Sequence, residues 1–333
     1  MRTRRLWSAA GRIFLSGALA LIALTLFCFF YYNIPVHANS PDGATDYKWE
    51  SHVFYSRATE GFAMGRTNND GYLNRFDYDG GSVEVLLMGS SQTENFQVPM
   101  NCSIAAGLNA LIGRNAVYNI GISAHGFLTC ADNLEAALGK YQPKQVLMET
   151  SSLSFSEESL REALEATMKE IPSHAGGIVA LLQRNPYLRL LYAQIQHYRG
   201  QGDEAGENGA PSGDIPATFT DERLLNELLA KIRSTANESG ADVLVFYHPP
   251  IAIDADGTIQ FPDNPEEERI FAACCESNGI AFLNLRERFR DEYERRAVLP
   301  YGFSNTEVGA GHFNRSGCKM AAEELYRMIG GES

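Results

Sequence analysis

The 333-residue sequence predicts an α/β fold: a three-layer sandwich with a central parallel sheet of about five strands, preceded by one N-terminal transmembrane helix. Three observations predict it. Five short apolar runs recur between residues 83 and 285, each flanked by Gly, Pro or polar residues, as buried parallel strands require. Segments with the apolar spacing of helices lie between them, the rhythm of right-handed crossovers that cover both faces of a sheet. A single uncharged run of 20 residues, Ile13 to Tyr32, stands apart near the N-terminus. It is long enough to cross a hydrocarbon core of roughly 30 Å as a helix.

Composition narrows the function classes. Hydrophobic residues make up 44% and charged residues 21%, the balance of a folded chain of one large domain or two small ones. Lys and Arg number 28 against 41 Asp and Glu, a net charge of −13. Four of those basic residues (Arg2, Arg4, Arg5, Arg12) precede the apolar run, which leaves 24 basic and 41 acidic residues beyond it. A body this acidic repels phosphate backbones, so nucleic acid is not expected as a partner.

The arginines place residues 1–12 in the cytoplasm as a short tail, residues 13–32 in the cell membrane as a single-pass anchor, and everything after Asn33 outside. A cleaved signal peptide is the competing reading, with Val36-His37-Ala38 as its cleavage site. The apolar stretch exceeds the 7–15 residues of a signal core, which favours the anchor. Either reading exports the rest of the chain. Outside the cytoplasm Cys102 is able to pair with Cys130, and Cys318 with Cys274 or Cys275; buried free thiols are the alternative. No CxxC pair and no HExxH helix signals a metal, and no Walker or GxGxxG sequence signals a nucleotide, so no cofactor is expected.

In chain order, residues 33–80 are aromatic and turn-rich and read as an irregular lead-in packed on the main domain, which spans 81–333. Val83–Met88 is the first strand, followed by a helix over Ser103–Ile112. Ala116–Ile122 is the second, with a helix near Cys130–Lys140, and Gln145–Glu149 is the third. Residues 157–199 read as helix in two pieces, broken near Pro172 and Pro186. Residues 200–217 are rich in Gly, Asp, Glu and Pro and read as a mobile loop. A helix over Asp221–Ser239, the fourth strand Asp242–Tyr247, a helix over Pro265–Asn278, the fifth strand Ile280–Leu285 and a closing helix over Ser316–Ile329 complete the fold.

In such sheets ligands bind at the carboxyl ends of the strands. Gly89-Ser90-Ser91 follows the first strand, a turn that exposes a hydroxyl and aims backbone N–H groups at one spot, or else a helix cap. Gly309-Ala310-Gly311-His312 precedes the closing helix, and an imidazole is the base a serine nucleophile needs near neutral pH. No G-x-S-x-G elbow is present, which argues against the α/β-hydrolase fold.

The two blocks together, VLLMGSSQTEN and GHFNRSGCKMAAEEL, resemble the Gly-Asp-Ser and C-terminal histidine blocks of the SGNH/GDSL hydrolases. VYNIGISAHG resembles the second block, YQPKQVLMETSSLSF stands in place of the third, and NNDGYLNRF is similar to the lead-in of membrane-anchored relatives. The Gly-Ser-Ser variant with an anchor is similar to teichoic-acid D-alanylation and alginate O-acetylation proteins. The resemblance implies Ser91 as nucleophile and His312 as base, with Ser90 in the usual Asp position. It implies Ala124 where the family's oxyanion-hole Gly stands, with Asn119 and Gly121 upstream, and Ser152 among the hydroxyls that replace the family's Asn. The family's acid, two or three places before the histidine, is replaced by Gly309 and Ala310. A Ser–His dyad, Glu307, or the more distant Glu149 is left to fill that role, and His248 is read as a pocket residue or loop anchor. The implied activity is an extracytoplasmic serine esterase or O-acyltransferase acting on acyl esters of a cell-envelope polysaccharide, with an envelope glycan as substrate and a membrane acyltransferase as partner. The rival is a non-catalytic binding or assembly subunit of such a system, favoured by the missing Asp and Asn.

Overall fold

The computed structural model describes residues 2–165, 184–191, 194–195 and 220–330. The loop expected at 200–217 and much of the helical stretch expected at 157–199 lie outside the described residues.

A long helix, α1 (Arg2–Tyr31), contains the apolar segment Ala10–Tyr31, whose length and composition suit a membrane anchor or a signal sequence. The lead-in is not irregular. His37–Asn39 pairs antiparallel with Tyr47–Trp49, and Phe54–Arg57 is the middle strand between Tyr32–Asn33 and Ala63–Arg66. Strands of two to four residues are too short to show an alternating pattern, which is why the sequence hides them. Aromatic residues suit such half-buried pleated surfaces. Trp49, Tyr55 and Tyr72 from this region are buried in the main core.

The central sheet holds β1 (Val85–Met88), β2 (Val117–Asn119), β3 (Gln145–Thr150), β4 (Asp242–Tyr247) and β5 (Ala281–Asn284). They are parallel, in the order β2-β1-β3-β4-β5. Side chains alternate between its faces, as the period of two demands. Leu86, Met88, Val146, Met148, Val243 and Val245 join one core, completed by α4 (Phe127–Tyr141), α5 (Glu157–Glu165), α6 (Glu222–Glu238) and α7 (Pro265–Ser277). Val85, Leu87, Leu147, Leu244 and Phe246 join the other, under α3 (Ile104–Ile112), α8 (Arg286–Arg296) and α9 (Arg315–Met328). The helix α8 has no counterpart in the sequence reading. It buries only Phe289 and is laced by Arg288–Glu292 and Arg296–Glu292 pairs, so it lacks the apolar stripe that announces a helix.

These two cores decide the cysteine question. All six thiols are free. Cys130, Cys274 and Cys275 sit in one core, whereas Cys318 and the partly buried Cys102 belong to the other, so the sheet itself separates both expected pairs.

The chain passes from β1 outward to β2 and returns to place β3 on the other side of β1. That reversal opens a crevice beyond the carboxyl ends of β1 and β3. The residues after Met88 and after Met148 therefore line it.

Candidate active site

The turn after β1 is shaped by one absent side chain. A Cβ on Gly89 would come 2.4 Å from Glu149 Oε2, so glycine alone allows β1 and β3 to close here. Ser90 then caps the short helix α2 (Ser91–Glu94): its Oγ accepts the Gln92 N–H at 3.3 Å. The same hydroxyl donates to Glu149 Oε1 at 2.7 Å, and the Ser90 N–H donates to Glu149 Oε2 at 2.7 Å. Both faces of the cap are thus committed to Glu149. Ser91, one residue on, is the first residue of α2 and half-buried.

The histidine arrives from the far end of the chain. Asn314 caps α9, accepting from the Ser316 and Gly317 N–H groups, while its Nδ2 donates to Leu299 O. Gln92 fastens the two blocks together. Its Nε2 donates to Gly311 O at 3.2 Å and its Oε1 accepts the Phe313 N–H at 2.7 Å, on either side of His312. His312 Nε2 lies 2.9 Å from Ser91 Oγ.

The other ring nitrogen meets an unexpected partner. His312 Nδ1 lies 2.6 Å from Glu60 Oε2, and the His312 backbone N–H donates to Glu60 Oε1 at 2.9 Å. Glu60 sits in the connection between the antiparallel strands 54–57 and 63–66 of the lead-in. With Nδ1–H given to the carboxylate, Nε2 turns its lone pair to the serine hydroxyl. Burial alone would raise the Glu60 pKa; the hydrogen bonds and charge of His312, with Arg57 Nη2 at 3.9 Å, outweigh it and hold the carboxyl below its usual range. A Cβ on Gly311, whose φ is +81°, would stand 2.6 Å from Glu60 Oε1, so the glycine before the histidine makes room for the acid.

The expected acids are corrected accordingly. Glu307 is exposed and makes no contact with His312 among the described residues. Glu149 is buried but serves a different histidine: His248 Nε2 lies 2.9 Å from Glu149 Oε1, and His248 Nδ1 lies 2.9 Å from Tyr301 Oη. Burial would raise the Glu149 pKa, but His248 and the two Ser90 donors lower it overall. His248 is 3% exposed and anchors the loop after β4. A hydrogen-bonded Ser91–His312–Glu60 chain therefore stands where a dyad was expected.

Three of the four groups expected to hold the oxyanion or substrate, Ser90, Asn119 and Ser152, are engaged elsewhere, Ser90 with Glu149 as described above. Asn119 is buried; its Nδ2 donates to Thr93 O and its Oδ1 accepts the Gly121 N–H, both at 2.8 Å, bracing β2 against α2. Ser152 Oγ donates to Ser154 O at 3.0 Å, within its own turn. Ala124 differs. It is exposed, has φ +66°, the left-handed region that favours glycine, and its N–H has no acceptor among the described residues. Ser123 beside it is tied to α2 through Glu94, whose Oε2 accepts from the Ser123 N–H at 3.1 Å and from its hydroxyl. The Ser91 N–H, at the open end of α2, also has no acceptor among the described residues. No group of three His, Cys, Asp or Glu among the described residues is disposed to hold a metal ion.

Sequence reasoning missed Glu60, Gln92 and Glu94. Glu60 lies 252 positions from its histidine and follows no spacing rule. The one signal was Gly309-Ala310, a glycine and an alanine where the resemblance leads one to look for the acid.

No protein-family model matches the chain, and no curated protein matches it. Solved structures similar to it include an acetyl xylan esterase, AlAXEase, 11% identical over 74% of this chain and 100% of that one, with a TM-score of 0.43. Also similar are a psychrotrophic esterase, EstA, from Pseudoalteromonas sp. (13%; 75% and 97%; TM-score 0.39) and a GDSL-like lipase from Bacteroides thetaiotaomicron (12%; 74% and 87%; TM-score 0.37).

Proposed function

We propose that this chain is a membrane-anchored, extracytoplasmic serine esterase or O-acyltransferase. The observation that carries the reading is the unbroken chain from Glu60 through His312 to Ser91, with steps of 2.6 and 2.9 Å. His312 Nε2 takes the Ser91 proton as Oγ attacks an ester carbonyl. The tetrahedral oxyanion is held by the Ser91 and Ala124 N–H groups. His312 returns the proton to the leaving alkoxide, and an acyl-enzyme remains. Water, or a hydroxyl of a cell-envelope glycan, then accepts the acyl group by the same steps in reverse.

Anchoring is supported by how the end of α1 is joined to the site. Ser56 Oγ donates to Phe29 O, the Ala58 N–H donates to Tyr31 O at 2.8 Å, and Tyr32–Asn33 pairs with Ser56–Arg57. Cleavage after Ala38 would remove this strand from the sheet that carries Glu60. From Tyr31 O through Ala58 to Glu60, His312 and Ser91, the reactive hydroxyl is at most about 25 Å from the end of the helix. Substrates and an acyltransferase partner held at the membrane surface suit that reach.

The test uses the full-length chain in nanodiscs. A fluorophosphonate probe is expected to label it, and Ser91→Ala is expected to abolish both labelling and p-nitrophenyl acetate turnover. Labelling or turnover that survives in Ser91→Ala removes Ser91 as the nucleophile. A chain that takes no label at all is the non-catalytic subunit instead. Acyl transfer to an added oligosaccharide, compared with release to water, separates transferase from hydrolase.

A further inference from the structure

Among the large apolar side chains exposed outside α1, three fall in one stretch: Leu188, Leu191 and Ile195, at 40%, 56% and 42% exposure. Residues 186–191 and 194–195 are helical. Leu188 and Leu191, at i and i+3, share one helix face, and Ile195 adds a third exposed apolar side chain close by in sequence. Such a face needs an occupant.

The other contacts of this stretch show where it lies. Tyr187 Oη is hydrogen-bonded to Thr25 Oγ1, within the apolar part of α1. Arg189 is buried and donates from Nη1 to Ile34 O at 3.5 Å, just past the end of α1. Arg184 pairs with Glu50 of the lead-in at 2.9 Å. Thr25 is six residues inside the end of α1, or about 9 Å of helix rise. On an α1 that spans the bilayer, that depth is the upper acyl region. The stretch runs from the lead-in down to that level, with Arg189 reaching back toward the polar side, as long basic side chains do at membrane boundaries.

We propose that residues 186–191 and 194–195 form a second membrane contact, lying in the outer interface beside α1 with Leu188, Leu191 and Ile195 in the lipid. The occupant is the bilayer itself, because Tyr187 holds the stretch against Thr25, inside the apolar span of α1. Two contacts fix the tilt of the α/β domain, where α1 alone leaves it free to rotate about the helix axis. This rests on the anchored reading of α1 and not on the chemistry of Ser91.

The test places the full-length chain in nanodiscs whose lipids carry bromine on upper acyl carbons, with Leu191→Trp, Ile195→Trp and, as the control on exposed α9, Met328→Trp. The tryptophans at 191 and 195 are expected to emit at shorter wavelength and to be quenched several-fold more than the one at 328. Equal quenching at the three positions overturns the proposal. Short-wavelength emission without quenching also overturns it, because protein rather than lipid then covers the face. Mass measurement of the chain made in cells reads separately whether α1 is retained, so a failed anchor and a failed interface contact are distinguishable.

Discussion

Two consecutive serines are each bound to a different carboxylate–imidazole pair. Ser91 meets His312, which holds Glu60; Ser90 meets Glu149, which holds His248. The two pairs have similar chemistry and similar lengths, 2.6 and 2.9 Å. Their surroundings differ. The His312 and Glu60 side chains are 15% and 13% exposed, against 4% and 1% for His248 and Glu149. The far nitrogen of His312 faces a hydroxyl at the rim, whereas that of His248 faces Tyr301, which donates onward to Pro249 O. The comparison teaches that a Glu–His pair is placed to act as a base only where its remaining nitrogen looks out on a hydroxyl at the rim. Sealed on all sides, the same pair is a clamp, here on the turn that presents Ser91.

Substitutions that exploit this contrast should divide cleanly. His312→Ala is expected to lower kcat by about 10⁶ in ester turnover, near the effect of losing the nucleophile itself. Glu60→Gln should lower it by about 10⁴, because the amide no longer fixes the ring or stabilises imidazolium, while the melting temperature moves little. In the buried pair the pattern reverses. Glu149→Gln leaves His248 and Ser90 without their charge partner and should cost about 3–5 kcal/mol in denaturant unfolding, while the folded fraction still takes a fluorophosphonate label. Equal stability losses for Glu60→Gln and Glu149→Gln would erase the distinction.

A third carboxyl, Glu94, has no imidazole and sharpens the comparison further. Burial pushes it up to about 7, against the hydrogen bonds from Ser123 and Trp49 that favour its charged form. An unfolded chain releases this proton near 4.5 and the folded one near 7, so the folded state loses stability as pH rises through that window and is level above it. Glu60 and Glu149 act in the opposite sense, but at and below the ordinary carboxylate range, because their folded values are lowered. Glu94 is therefore expected to withdraw about 2.5 kcal/mol of stability between pH 5 and 8, read as the difference in the pH slope of chemical unfolding between the wild type and Glu94→Gln.

Much of this was legible because it is local. The five strands announce themselves as apolar runs such as VLLM and DVLVFY, and the caps Ser103, Asp221 and Asn314 stand where their helices begin. Ser91 and His312 were legible because each follows a short glycine-bearing turn at the rim. The acid was not, since hydrogen-bond geometry over 252 positions leaves no spacing to read. Nor was the fate of Asn119, whose amide is spent on Thr93 and Gly121. Sequence shows that a polar group is present, but only packing shows which neighbour already holds it.

The origin of Glu60 in the lead-in changes what counts as the smallest working piece. A fragment begun at residue 81 would keep the whole parallel sheet, the serine and the histidine, yet leave behind the carboxylate that orients the ring. Such a fragment would also uncover the core that Trp49, Tyr55 and Tyr72 fill, so packing and acid would be lost together. Boundaries drawn around a fold do not always enclose the reaction it performs.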